Sequence, residues 1–305
     1  MAINPTVISV LLCMFYSCLS IVISCGNILV ITSIFYFKQL HTPTNYLILS
    51  LAVADLFVGI LICPFSMSLT EASCWYDERI LCKIRGSFDL ALSNSSILHL
   101  CCISVDRYYA VCQPLRYSAK INNNAVAIMI LVSWSLSVLI GICVMIIGFQ
   151  NDKCTESCSF DVQIAPTFGC ILSFYFPAGV MLCIYLKILQ VAQSQAHIIQ
   201  KTTCPGTKTA ITLSKTETKA TKTLAIVMGV FLICWTPFFL CLTFQPVTKY
   251  AIPASAIETL SWLGRSNSMI NPFVYAWFYS WFRTAFRILI SGKLYKGYCR
   301  NSKLN

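Results

Sequence analysis

The sequence predicts an all-α membrane protein: a seven-transmembrane-helix bundle followed by a short amphipathic eighth helix. Three observations predict it. Hydrophobic residues make up 57% of the 305 and charged residues only 11%, where a soluble domain averages about 25% charged, and mean hydropathy is +0.72. Apolar runs long enough to cross a hydrocarbon core of about 30 Å recur seven times, at roughly 6–36, 44–69, 79–112, 122–148, 165–193, 216–244 and 253–277. Basic residues alternate in side: sixteen of the 22 lie at the ends of, or after, the first, third, fifth and seventh runs. That side is read as cytoplasmic and the N-terminus as extracellular. The net charge of +11 then reflects the inner leaflet of the bilayer, not nucleic acid. The whole chain, 1–305, reads as one seven-helix domain.

Taken in order, the first run is too long for a secretory signal and ends in no small-residue cleavage site, so it reads as a retained span. It carries Asn27, which in a membrane should hydrogen-bond a neighbouring helix. Only a few residues precede the run, and the sole Asn-x-Ser/Thr sequon, Asn94-Ser95-Ser96, lies inside a span. The second run starts at Thr42-Pro43-Thr44 and holds Asp55 deep within it. An intramembrane carboxylate is a functional candidate by default. Its candidate partners are Asn27, Ser96, Asn267, Ser268 and Asn271, an oxygen-rich set able to hold Na⁺; the alternative is a hydrogen-bonded cluster without an ion. No other cofactor is expected.

The third run carries Asp89 near one end and Asp106-Arg107 at the other. Asp89 and Arg107 are 18 residues apart, five turns, so both fall on one helical face about 27 Å apart. Residues 113–124 read as a basic cytoplasmic turn. Trp134 in the fourth run reads as packing. Most of the 18 cysteines lie inside runs as small packing residues. Cys74, Cys82, Cys154 and Cys158 fall on the oxidising side, where bridges persist, with their connectivity open.

The fifth run contains Pro177 and Tyr185, the sixth Phe231 and Cys234-Trp235-Thr236-Pro237. A proline removes a backbone hydrogen bond, so Pro237 is a candidate hinge; the alternative is a kink with no switching role. Residues 190–222, rich in Thr, Ser and Lys, read as a partly disordered cytoplasmic loop. After the seventh run, an amphipathic helix at about 280–292 sets Phe282, Phe286 and Leu289 against Arg283 and Arg287, with Lys293 just beyond, for the inner leaflet.

Asn27, Leu51 and Asp55, Cys82, Asp106-Arg107-Tyr108, Trp134, Pro177, Cys234-Trp235-Thr236-Pro237 and Asn271-Pro272-Phe273-Val274-Tyr275 occur together and in this order. In that combination the chain resembles the rhodopsin-like class of G-protein-coupled receptors. The string Asn267-Ser268-Met269-Ile270-Asn271-Pro272, then Tyr275 and Tyr279-Ser280-Trp281-Phe282, matches the pattern of trace amine-associated receptors, of the type that fish carry in olfactory neurons.

The resemblance implies a plasma-membrane receptor that senses a small amine odorant and activates a stimulatory or olfactory-type G-protein to raise cyclic AMP. It implies Asp89 as the partner of the ligand ammonium, with Ser93, Trp235, Phe238, Phe239, Trp262 and Arg265 in the ligand site and cation–π attraction from the aromatics. It implies a disulfide between Cys82 and Cys158. It also implies an activation switch of Asp106, Arg107, Tyr185, Glu217, Phe231, Pro237 and Tyr275, in which Arg107 bonds Asp106 and Glu217 at rest.

One departure stands out. Arg265 occupies a position where this family usually has tyrosine. Counting from the helix starts, it sits about 18 Å deep and Asp89 about 15 Å deep, so the two can meet. Either Arg265 turns to water and Asp89 binds a monoamine, or the two pair and the pocket prefers a non-amine or zwitterionic ligand. The fifth run offers Gly169, Cys170 and Ser173 but no second acid, which disfavours a diamine. A membrane transporter is the rival class, but no internal repeat is visible. An enzyme is disfavoured because no nucleophile and base can be assembled, and no P-loop, HExxH or GxSxG motif occurs.

Overall fold

A chain that spans lipid must satisfy its backbone within each span, which favours helices over every open alternative. The computed structural model describes residues 5–68, 76–150, 169–201, 208–245, 252–278 and 280–291, and every long element among them is a helix. These are α1 (Pro5–Tyr36), α2 (Pro43–Phe57), α3 (Cys63–Ser68), α4 (Tyr76–Cys112), α5 (Pro114–Lys120), α6 (Asn123–Gln150), α7 (Phe176–Lys201), α8 (Lys208–Phe244), α9 (Ala254–Phe278) and α10 (Ser280–Ile290). The second span is α2 and α3 joined by a widened turn at Val58–Ile62, and the fifth opens with another at Ile171–Tyr175. Both wide turns have one cause. Pro64 and Pro177 cannot donate to the carbonyls four residues back, and the helix widens where that bond is lost.

Local signals set the helix starts. Thr42 caps α2, its side chain accepting from the Asn45 N–H at 3.3 Å, with Pro43 in the first turn, where the missing N–H of proline costs nothing. Pro114 does the same for α5. That short helix lies where the sequence suggested a plain turn. The fifth and sixth spans also depart from expectation, because α7 runs on to Lys201 and α8 begins at Lys208. Helix therefore occupies most of the stretch read as a disordered loop. The sequence held the reason: no Gly or Pro interrupts residues 180–204 or 207–228, and the breaker is Pro205-Gly206.

Six of the described helices are long and apolar enough to cross a membrane, covering 13–36, 43–66, 83–112, 123–146, 171–194 and 225–244. The seventh, α9, matches them in length but carries Glu258, Arg265, Asn267, Ser268 and Asn271. It belongs to the bundle because those side chains turn inward: Arg265, Asn267, Ser268 and Asn271 are all buried. The bundle is inside-out relative to a soluble one. Leu131, Leu139 and Ile146 of α6 are exposed, while Asp55, Ser95, His99, Ser104 and Asp106 are buried, as a lipid solvent requires.

The central helix is α4, which touches α2, α6, α7 and α8. The apolar core around it joins Leu51, Ile97, Met181, Phe231 and Trp235. At the inner end, α10 folds back on α1 and α9, burying Ala285 beside Phe37 and Leu40 and Phe282 in the main core.

Candidate functional site

Three polar centres lie on or beside α4, and each was legible in part. The outermost is built from α4 and α9. Arg265 Nη2 donates to Asp89 Oδ2 at 2.7 Å and its Nε to Oδ1 at 3.5 Å, a two-pronged pair with the Arg265 side chain only 1% exposed. Of the two arrangements open from the sequence, the internal pair is the one present. Two further charges complete the group: Glu258 accepts from Arg265 Nη1 at 3.4 Å, and Arg85 Nη2 lies 3.8 Å from Glu258. Sequence reasoning passed over both. The signal was spacing, since Arg85 is one turn before Asp89 and Glu258 two turns before Arg265, each on the face already in use.

Aromatic rings frame this group. The Arg265 guanidinium lies 4.8 Å over the Trp262 ring, and Trp262 stacks on Tyr16 of α1 at 3.9 Å. Trp262, expected beside a ligand ammonium, thus faces a cation belonging to the protein. Trp235 packs edge-on to Phe238 at 5.9 Å and 5.9 Å from Phe239, which stacks on Phe174 at 4.3 Å. The Trp235 indole also presses on the backbone of α9. A β-carbon added at Gly264 would lie 2.7 Å from two of its ring carbons, so only glycine allows this approach. Arg265 follows directly, and a small cavity lined by Ser93, Ser96, Trp235, Arg265, Asn267 and Ser268 links the outer group to the centre below it.

That second centre surrounds Asp55. Its Oδ1 accepts from Ser96 at 3.0 Å and Ser268 at 2.8 Å, and its Oδ2 from Asn271 at 2.9 Å. The two remaining candidates stand one step away. Asn27 donates to the backbone carbonyls of Ile23 and Ser268 at 2.9 and 3.1 Å, tying α1 to α9. Asn267 lines the cavity. The side-chain carbonyl oxygens of Asn27 and Asn267 are buried without a partner, and an oxygen-rich set with spare acceptors suits a hard cation such as Na⁺.

At the inner end, Arg107 Nε donates to Asp106 at 2.7 Å and its Nη2 to Thr44 Oγ1 at 2.6 Å. Asp106 is fully buried and also accepts from Tyr117 of α5 at 2.9 Å and from Thr44 at 3.0 Å. Burial foremost, then the Asp106 carboxylate, pushes the Tyr117 hydroxyl above its ordinary pKa, so it stays a donor at neutral pH. The Glu217 side chain lies outside the described residues, as do those of Cys82 and Cys158, so the other half of the expected latch and the expected disulfide are not seen. Phe231, Tyr185 and Tyr275 are buried in the core, Phe231 5.9 Å from Phe174, and Pro237 lies inside α8 without ending it.

A fourth cluster had no counterpart in the reading of the sequence. Trp134 Nε1 donates to Ser50 Oγ at 2.9 Å, and Ser50 bonds the buried His99 at 2.7 Å. Trp134 is therefore a hydrogen-bonded staple between α6, α2 and α4 as well as a packing residue.

Comparison with known proteins gives this geometry its setting. Residues 26–275 match the 7 transmembrane receptor (rhodopsin family). The chain is 44% identical to trace amine-associated receptor 1 of Macaca mulatta, covering 92% of this chain and 87% of that protein. It is 44% identical to trace amine-associated receptor 1 of Mus musculus, covering 95% and 92%. With trace amine-associated receptor 4 of Mus musculus the identity is 38%, covering 92% and 85%.

Proposed function

The chain belongs to the rhodopsin family of seven-transmembrane receptors, and within it to the trace amine-associated receptors; from that premise we propose that it senses a small odorant bearing an ammonium group and raises cyclic AMP through a stimulatory G-protein. As a multi-pass membrane receptor it is not an enzyme. The observation that carries the ligand reading is the Asp89 carboxylate, which already holds a cation, the Arg265 guanidinium at 2.7 Å. A carboxylate within a desolvated, aromatic-walled site gains most from a cationic partner. Ser93, Trp235, Phe238 and Phe239 form the remainder of this ligand site.

The N-terminus and the outer group face the outside of the plasma membrane, and the basic inner ends face the G-protein. At rest Arg107 is held by Asp106 and, on this reading, by Glu217 at the foot of α8. Ligand binding repacks Ile97, Pro177 and Phe231, and α8 swings about Pro237 to open an inner cleft, which Tyr185 and Tyr275 hold open. Two sites and two states are thereby named, as coupling between them requires. Na⁺ at Asp55, with Ser96 and Ser268, would favour the resting state. A Cys82–Cys158 bridge would pin the outer end of α4.

The test is a cyclic AMP assay of the full chain with a stimulatory G-protein across a panel of monoamines and amino acids. Asp89→Ala should abolish the responses in cells matched to wild type for surface expression. Responses that survive Asp89→Ala at unchanged concentration would remove Asp89 as the anchor.

A further inference from the structure

In the outer group, Arg85, Asp89, Glu258 and Arg265 form a linked chain of two guanidiniums and two carboxylates among the described residues. Its rungs join α4 to α9: Asp89 to Arg265 at 2.7 Å and Arg85 to Glu258 at 3.8 Å, with Glu258 also bridging to Arg265 at 3.4 Å. The formal charges cancel. The hydrogen bonds do not. Both Asp89 oxygens accept from Arg265, whereas two donors of the site, Arg85 Nε and Trp262 Nε1, are buried without a partner among the described residues. Arg85 is 7% and Trp262 4% exposed. Among the described residues, these two donors have room for an acceptor.

We infer, granting the reading of Asp89 as the ligand anchor, that the ligand is an amino-acid-like zwitterion whose ammonium takes Asp89 and whose carboxylate takes Arg265. A monoamine that drew Asp89 away would leave the buried Arg265 with only its longer contact to Glu258, and would add one positive charge to a neutral, desolvated set. Removing one partner of a buried pair is the costly way to break it. A simple carboxylic acid fails in mirror image, because it frees Asp89 and adds a negative charge. A zwitterion exchanges one internal ion pair for two and leaves the total charge at zero. Its carboxylate matches the fork of the guanidinium, which Trp262 and its stack on Tyr16 hold flat, and offers an acceptor to Arg85 Nε and Trp262 Nε1, which have none among the described residues. Tyrosine at position 265, the usual residue of the family, would lack the anion site and leave Asp89 open to a plain amine.

The experiment compares matched compounds on the full-length chain: phenylalanine, phenethylamine and hydrocinnamate, and leucine, isopentylamine and isocaproate. Cyclic AMP is recorded with a stimulatory G-protein, and thermal stabilisation of the purified receptor gives a readout independent of coupling. In wild type the amino acid should act at about tenfold lower concentration than its amine, the worth of one ion pair at about 1.4 kcal/mol. Arg265→Tyr should reverse that order, and Arg265→Lys should keep it at reduced potency. Equal or better potency of the amines or the acids in wild type overturns the inference. So does silence of the amino acids while Arg265→Tyr responds to amines, or silence of every variant to all compounds in both readouts. Asp89→Ala separates the two levels. If it abolishes a wild-type response in which the amine is preferred, the zwitterion inference alone fails; if it leaves responses unchanged, the anchor reading fails.

Discussion

At the inner end of α4 the carboxylate and the guanidinium are sequence neighbours, Asp106 and Arg107, and they bond the hydroxyls of Thr44 and Tyr117 on other helices. At the outer end the charges come from different helices, Asp89 and Arg85 from α4 and Arg265 and Glu258 from α9. The difference teaches how the two ends bear on motion. Parting Thr44 and Tyr117 from α4 breaks charge-assisted hydrogen bonds worth about 1.5–3 kcal/mol each, while the Asp106–Arg107 pair itself travels with α4. Parting the outer helices separates buried charge, so that end stays closed unless a ligand supplies replacement charges.

The largest effect that sharpens this contrast is at the outer end. Asp89→Ala should destabilise the purified receptor by about 3 kcal/mol, the scale for stranding one member of a buried pair, read as a drop in unfolding temperature. Next comes the contact below it. Gly264→Ala should cost about 1–3 kcal/mol through overpacking against Trp235 and should shift basal cyclic AMP, since the indole must move. At the inner end, Tyr117→Phe should cost about 1.5 kcal/mol, the low end for a bond to a charged group, and raise basal cyclic AMP by up to about fivefold, because it weakens the resting hold on Asp106. The smallest is remote from both ends: Trp134→Phe should cost about 1 kcal/mol for the lost bond to Ser50 and leave basal signalling unchanged. An inner substitution that proved more destabilising than Asp89→Ala would break the comparison.

The bundle was legible because lipid leaves few options: long apolar runs, alternating basic flanks and intramembrane acids each carry a large energetic penalty if misplaced. The Asp55 cluster was legible for the same reason, since Ser96, Ser268 and Asn271 are polar groups with nowhere else to go. What was hidden depends on packing between distant segments. Glu258 sits in no motif, and only the approach of α9 to α4 sets it against Arg85. Ser50 and His99 carry no charge and no motif, so their link to Trp134 could not be read from spacing. The helical extensions of α7 and α8 were hidden by composition, because Thr- and Lys-rich stretches resemble loops even where no Gly or Pro breaks them.

The central claim is that Asp89 and Arg265 act as one buried unit. A double-mutant cycle on thermal and denaturant stability, using Asp89→Ala, Arg265→Leu and the double variant, tests it most directly. The expected coupling is about 2 kcal/mol or more, with the double variant more stable than Asp89→Ala alone. Losses that simply add, within about 0.5 kcal/mol, would contradict it.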